Sequence, residues 1–331
     1  MKINSKIIGS QSTYVIAEAG INHNGDIKIA KEMISRASTI GVDAVKFQTF
    51  FPEELFSESL NPDLFDWVKE LSFTKKEHLE LMNYAKDLKI EFLSTASGKR
   101  SLNLLLDIKI KAIKIASTDV NNLDFIKLIA KSKLPIILST GMSSLPEIID
   151  AHNIITEQKS PHCILHCISS YPTPLNQTHL SNINYFQSLF DVPIGYSDHT
   201  IGIDAPLSAV TLGASVIEKH FTLDKNMDGP DQKLSSDPNE FKLLVKKIRI
   251  IEKMLGKNRK KIFDSEKIFQ TNMRKSIGAS TNIPKNTKIT RSMLQLFRPG
   301  TGIPPANMNY LIGLKTKQSI KKGQIISWDM I

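Results

Sequence analysis

Residues 14–50 read YVIAEAGINHNGDIKIAKEMISRASTIGVDAVKFQTF. Two short runs rich in Val, Ile and Phe, 14–20 and 43–50, enclose Ile27–Thr39, where apolar residues return at helical spacing. The runs are nearly continuous in hydrophobicity, the pattern of strands buried on both faces of a parallel sheet. Six further runs repeat it: EFLSTAS (91–97), KAIKIAST (111–118), LPIILSTG (134–141), HCILHCISS (162–170), VPIGYSDH (192–199) and ASVIEKHFT (214–222). Helical periodicity fills Lys75–Leu88, Leu123–Lys131 and Leu145–Ile155 between them. Strand then helix, eight times over about 250 residues, predicts an α/β fold of the TIM (β/α)8 barrel type. A doubly wound open sheet alternates in the same way. Against it, no G-x-G-x-x-G turn follows residues 14–20, and polar residues stand at the C-terminal end of every run. A ring drawn from all eight strands is what a barrel mouth requires.

That ring contains Glu18, Lys46 with Gln48, Thr95, Lys114 with Ser117, and Ser139. The later runs add Ser169, Ser197 with His199, and Glu218 with His220. His199 and His220 end neighbouring strands, so two imidazoles can share one ion; with other coordination positions open, a divalent transition metal suits them better than a closed structural zinc site. Two separately hydrogen-bonded histidines are the plainer alternative. Lys46 and Lys114 interrupt apolar strands, and a buried ammonium needs an anionic partner. An internal salt bridge satisfies one of them. Two, accompanied by Thr95, Ser117, Ser139 and Ser197, read as a cradle for a phosphate and a carboxylate, with a Schiff-base lysine as the rival chemistry. Glu18 is the carboxylate placed to move a proton. Asp231, in a Gly-Pro-Asp turn, is a candidate for binding hydroxyls.

Composition narrows the function classes. The 331 residues carry 43 Lys+Arg against 33 Asp+Glu, a net charge of +10, with 41% hydrophobic residues, an ordinary globular balance. No apolar run approaches the roughly 20 residues of a membrane-spanning helix, and MKINSKIIGSQS lacks the apolar core of a secretory signal, so a cytoplasmic protein is expected. Two cysteines, Cys163 and Cys167, exclude a disulfide scaffold or a cysteine-rich zinc module; Cys167 reads as a packed small hydrophobe. The basic stretch Lys246–Lys261 alternates with aliphatic residues at helical spacing and has no interleaved aromatics, which indicates a solvated helix face rather than a nucleic-acid groove. The expected division is a barrel over 1–256, a Lys-, Asn- and Ser-rich linker over 257–273, and a small, mainly β module over 274–331.

Nine fragments, in order, carry a resemblance: IAEAGINHNGD (16–26), VKFQT (45–49), KIAS (114–117), ILSTGM (137–142), LHCISSYPTP (165–174), IGYSDHT (194–200), EKHFT (218–222), DGPDQ (228–232) and RPGTGI (298–303). With them the chain resembles the sialic acid (nonulosonate) synthases, whose C-terminal module is similar to type III antifreeze proteins (the SAF domain). The resemblance implies condensation of phosphoenolpyruvate with an N-acylated mannosamine-type sugar in a domain-swapped homodimer. It implies that His199 and His220 hold Mn²⁺, or Mg²⁺ or Co²⁺, and that Lys46, Thr95, Lys114, Ser117, Ser139 and Ser197 bind phosphoenolpyruvate. Glu18 matches the catalytic acid–base, and Gln48, Tyr171 and Asp231 match sugar contacts. Arg298 matches an arginine that reaches the sugar's N-acyl group from a second copy. Three departures bear on the sugar: SerThrAlaSer at 94–97 replaces the family's SerThrPro-Phe, Thr118-Asp119 replaces Gly-Glu, and Ser169 replaces an Asn; Asn121 and Asn122 resemble the sialate branch. N-acetylmannosamine, its 6-phosphate and a 2,4-diacetamido-trideoxyhexose (for a legionaminic or pseudaminic acid) all suit these residues. A Schiff-base aldolase using Lys114 and a non-catalytic carbohydrate- or ice-binding protein are the more distant alternatives.

Overall fold

All eight expected runs form strands, and they close on one another. The computed structural model describes residues 1–331 except Gln11 and Asn258; Asn258 falls within the expected linker. A short antiparallel hairpin, β1 (Lys2–Ile3) and β2 (Lys6–Ile7), comes first. The barrel strands are β3 (Tyr14–Gly20), β4 (Ala44–Thr49), β5 (Glu91–Ala96), β6 (Ile113–Ile115), β7 (Ile136–Ser139), β8 (His162–Cys167), β9 (Ile194–Asp198) and β10 (Val216–His220). They pair in parallel in sequence order, and β10 pairs with β3 to complete a closed barrel.

Strand alternation sorts the side chains into two sets. One set, including Val15, Val45, Ile113, Ile136, Ile164 and Ile217, packs against the helices in the larger core. The other points to the axis: Tyr14, Ile16, Leu93, Ile137, Leu165 and Val216 fill one end of the barrel, plugged by Ile3 and Ile8 from the N-terminal segment. At Gly195 this interior leaves no room, since a Cβ there would lie 2.5 Å from Leu165 and 2.6 Å from the Val216 carbonyl oxygen. Carrying the same parity onward puts Glu18, Lys46, Gln48, Thr95, Lys114, Ser139, Cys167, Ser197, Glu218 and His220 on the axis at the strands' C-terminal ends. The β3–β4 register slips between Glu18 and Gly20, a bulge of the kind that re-aims side chains next to active sites.

The intervening helices carry clear local signals. Ile27–Ile40 is N-capped by Asp26, which accepts from the Lys28 amide, and ends on Gly41 at φ 85°. Pro238–Leu255 starts on an Asp237–Glu240 capping box and buries Phe241, Leu244, Val245 and Ile248, so the basic stretch is partly the solvated helix face expected of it. No helix of the described residues is long and apolar enough to cross a membrane.

The chain divides into two compact units, Met1–Gly256 and Lys257–Ile331. In the second unit, β11 (Ser276–Ala279) pairs antiparallel with β12 (Leu294–Phe297) around a core that includes Ile277, Ile283, Ile289, Leu294, Ile303, Leu311, Ile320 and Ile326. The expected linker is corrected in one respect: Asp264–Met273 is a helix that buries none of its residues within the chain. Its sequence, DSEKIFQTNM, lacks a continuous apolar stripe, but Glu266 accepts from the Phe263 amide and acidic residues occupy the first turn, which favours a helix start.

Candidate active site

Strand parity and closure bring the polar ring together around a cavity of about 560 Å³ at the C-terminal end of the barrel. Every barrel residue singled out from the sequence lines it: Glu18, Lys46, Gln48, Thr95, Lys114, Ser117, Ser139, Tyr171, Ser197, His199, His220 and Asp231. Arg298 lies in the second unit, exposed, on the loop after β12.

The centre of the site is ionic. Lys46 Nζ sits 3.1 Å from Glu18 Oε2 and 3.1 Å from Glu218 Oε2, all three side chains being buried. Lys114 Nζ is 3.8 Å from the other Glu218 oxygen and donates to the Ile115 carbonyl at 3.1 Å. Ser197 Oγ donates to Glu218 at 2.9 Å, and Gln48 Nε2 donates to Glu18 at 3.4 Å. Glu218 therefore bridges both lysines, a role the sequence reading had not given it.

This geometry pushes the two carboxyls apart. Burial raises Glu18, Lys46 pulls it down, and the nearby Glu218 raises it again, leaving it at about 7. Burial also raises Glu218, but Lys114, Lys46 and the Ser197 hydroxyl outweigh it and hold it at about 2. One carboxyl stays ionised while its neighbour titrates near neutrality, the separation of roles acid–base chemistry uses. Burial lowers Lys114, against the attraction of Glu218.

Hydroxyls surround the lysines. Lys46 Nζ donates to Thr95 Oγ1 at 3.4 Å, and Ser117 Oγ accepts from the Gly141 amide at 2.8 Å. Ser139 Oγ is buried with no hydrogen-bond partner, an unsatisfied group facing the same cavity.

The histidines lie opposite. Their ring centroids are 5.5 Å apart, and Tyr171 packs on both, 4.1 Å from His199 and 5.8 Å edge-on from His220. His199 Nδ1 lies 2.7 Å from the Ile168 carbonyl oxygen, so it is the donor there, and in the neutral ring Nε2 keeps its lone pair. A carbonyl fixing one nitrogen of a metal-binding imidazole is the usual supporting arrangement. His220 Nδ1 is buried without a hydrogen-bond partner and stands 3.7 Å from Asp231 Oδ2. Burial, then His199 and Lys46, lower His220 to about 3, which keeps it neutral. Among the described residues no group of three or more His, Cys, Asp or Glu is set to hold an ion. The pair would hold one through two ring nitrogens.

The NeuB family matches residues 33–260, and the SAF domain matches residues 274–331. The chain belongs to the NeuB family. Relatives of this NeuB chain are sialic-acid-type synthases. It is 39% identical to the N,N'-diacetyllegionaminic acid synthase of Campylobacter jejuni over 96% of its own length and 99% of the relative. It is 32% identical to the human N-acetylneuraminate-9-phosphate synthase, over 98% and 94% of the two chains. It also superposes, with a TM-score of 0.78 and 39% identity, on the N-acetylneuraminic acid (sialic acid) synthetase of Leptospira borgpetersenii in complex with citrate, covering 81% of this chain and 94% of that one. As a NeuB member it is a TIM barrel followed by an SAF domain.

One residue is corrected. Cys167 was expected as a packed small hydrophobe, yet it lines the cavity, with Sγ 3.7 Å from Ser117 Oγ and 3.9 Å from His199 Nδ1. Parity explains it: Cys163 and Leu165 point to the axis, and Cys167 follows them at the open end. Glu54, Leu55, Ser97 and Met142 also line the cavity. They come from connecting segments, where strand periodicity gives no signal.

Proposed function

We propose that this protein condenses phosphoenolpyruvate with an N-acylated mannosamine-type sugar, with a divalent cation, cleaving the C–O bond of phosphoenolpyruvate and releasing inorganic phosphate. The product is a nine-carbon sialic-acid-type sugar, as from an N-acetylneuraminate synthase. What carries the reading is one cavity holding two buried lysines, an unpartnered buried hydroxyl and a facing imidazole pair. With Glu18 protonated, two lysines against one ionised carboxylate leave the cluster a net positive charge, a field that draws in an anion. Lys46, Lys114, Thr95, Ser117, Ser139 and Ser197 receive its phosphate and carboxylate.

His199 and His220 would hold the cation, Mn²⁺ or else Mg²⁺ or Co²⁺; both imidazoles have a nitrogen free for it. A bound cation of this kind polarises a carbonyl oxygen as a Lewis acid. The chain's own residues do the rest. The lysine and hydroxyl cradle holds C3 of phosphoenolpyruvate toward the sugar's aldehyde carbon, so that orientation replaces a chance encounter. The C2–C3 π pair forms the C3–C1 bond, the aldehyde oxygen takes up a proton, water adds at C2 with loss of a proton, and the C2–O bond to phosphate breaks as the C2 hydroxyl gives up its proton and becomes the ketone. Glu18, titrating at about 7, is placed to release and to accept those protons. Gln48, Tyr171 and Asp231 line the sugar's side. The same reading makes the protein a cytoplasmic homodimer in which Arg298 arrives from a second copy.

The 39% identity to the C. jejuni enzyme favours a second reading of the sugar, a 2,4-diacetamido-trideoxyhexose leading to a legionaminic acid, with the pseudaminic type beside it. Phosphate release from phosphoenolpyruvate, assayed with Mn²⁺ against N-acetylmannosamine, its 6-phosphate and that diacetamido sugar, separates these. One sugar should support release that EDTA abolishes. Borohydride trapping on Lys114 without EDTA sensitivity would instead indicate a Schiff-base aldolase.

A further inference from the structure

Directly behind the two histidines lies a second polar cluster that no step above uses. Asp198 and Lys219 are register partners across β9 and β10. Both are buried, with 0% and 2% of the residue exposed. By strand parity they point away from the axis, with Tyr196 and Ile217, into the layer between strands and helices. Among the described barrel strands the only other acidic or basic side chains on that outer face are the imidazoles of His162 and His166 on β8.

Their contacts are specific. Lys219 Nζ lies 2.6 Å from Asp198 Oδ2 and donates to the Thr200 carbonyl at 2.7 Å. Asp198 Oδ1 accepts from the Thr200 amide at 2.9 Å and from Tyr196 OH at 3.1 Å. Both backbone groups of residue 200 are therefore held by the pair. Asp198 and Thr200 flank His199 in the chain, and Lys219 precedes His220, so the cluster fastens the backbone on each histidine's strand to the other. On the cavity side the same residues are held again: the His199 carbonyl accepts from the Thr173 amide at 2.9 Å, and the His220 carbonyl accepts from the Ser236 amide at 2.8 Å.

Stability does not account for the charges. A buried ion pair is seldom worth more than a well-packed apolar pair of similar volume, and this layer is mostly apolar, with Val15, Ala17, Ile164 and Ile217 among its residues. An apolar pair would fill the space yet hold no backbone group. Among the described residues the two imidazoles have no third protein ligand beside them to compensate for a misplaced ring, so the site's affinity depends on how firmly both rings are placed.

We infer that the Asp198–Lys219 pair, with Tyr196 and Thr200, is a positioning clamp that sets the separation and orientation of His199 and His220 for a single divalent cation. The inference rests on the functional reading above. Its test is Mn²⁺ affinity, read by the loss of the free-ion EPR signal on titration, and it requires no turnover. Lys219→Met should raise the Mn²⁺ Kd by about tenfold or more, the usual range for outer-shell partners of ligating histidines. Protection from thermal unfolding by phosphoenolpyruvate in EDTA, which reports the lysine cradle, should shift less than twofold. Where Lys219→Met leaves Asp198 unpaired and the chain unfolds, Asp198→Asn/Lys219→Met removes both charges and should show the same loss of Mn²⁺. Tyr196→Phe keeps charge and volume and should weaken Mn²⁺ by a smaller factor, about threefold; it decides the matter if neither lysine variant folds. A folded variant of these that binds Mn²⁺ as wild type does overturns the clamp alone. Wild-type protein that takes up no Mn²⁺, Mg²⁺ or Co²⁺ overturns the functional reading, and the clamp with it.

Discussion

Glu18 holds a proton that an ordinary carboxyl has lost. The unfolded chain releases it near 4.5, whereas in the folded protein burial, working against Lys46, moves release to about 7. Between these values the folded state binds more protons than the unfolded one, so stability falls as pH rises, and the contribution is gone above about 7. Glu18→Gln should therefore melt above wild type at pH 8, while kcat for phosphate release drops by about hundredfold or more. Near-normal turnover would remove Glu18 from the chemistry, and a lower melting temperature at pH 8 would contradict its charge environment. Single residues were unevenly legible in the sequence. Lys46 and Lys114 stand out because an ammonium inside an apolar strand demands an explanation. In EKH (218–220), by contrast, acid and base are adjacent and only one can face the axis. Without the register, nothing says that Glu218 points in to bridge the lysines while Lys219 points out to Asp198.

Among the elements, the strands were the most legible, because a strand buried on both faces reads as unbroken Val, Ile and Leu. The structure keeps the run 14–20 whole and trims the others by one to five residues without moving any of them. Among the elements that escaped, two show why. The β1–β2 hairpin is only two residues per strand, and its value lies in Ile3 and Ile8 plugging the barrel, a tertiary contact. The helix Asp264–Met273 has no buried face within the chain, so it leaves no clear apolar period to find. Barrel closure makes its own prediction at Gly195, where an added Cβ would meet Leu165 and Val216 at under 3 Å. Gly195→Ala should cost about 1–3 kcal/mol of stability through overpacking, measurable by denaturant unfolding. An unchanged midpoint would mean that the interior yields there.

For the whole molecule, the second unit carries Arg298, which the proposed function assigns to the sugar. If Arg298 serves the sugar's N-acyl group, Arg298→Ala should raise the sugar KM by about tenfold or more, the worth of a charge-assisted hydrogen bond, and leave the KM for phosphoenolpyruvate nearly unchanged. Mixing that variant with Glu18→Gln should restore part of the activity, since some mixed dimers then hold one intact site; no recovery would place both residues in one copy's site. The reaction itself has a more direct test. Phosphoenolpyruvate carrying ¹⁸O at its bridging oxygen is turned over with Mn²⁺ and the accepted sugar, and both products are weighed by mass spectrometry. Attack through C3 with rupture at C2–O sends the heavy atom into inorganic phosphate; its retention in the nine-carbon acid would mean that the P–O bond broke instead and that the cradle works by a different chemistry.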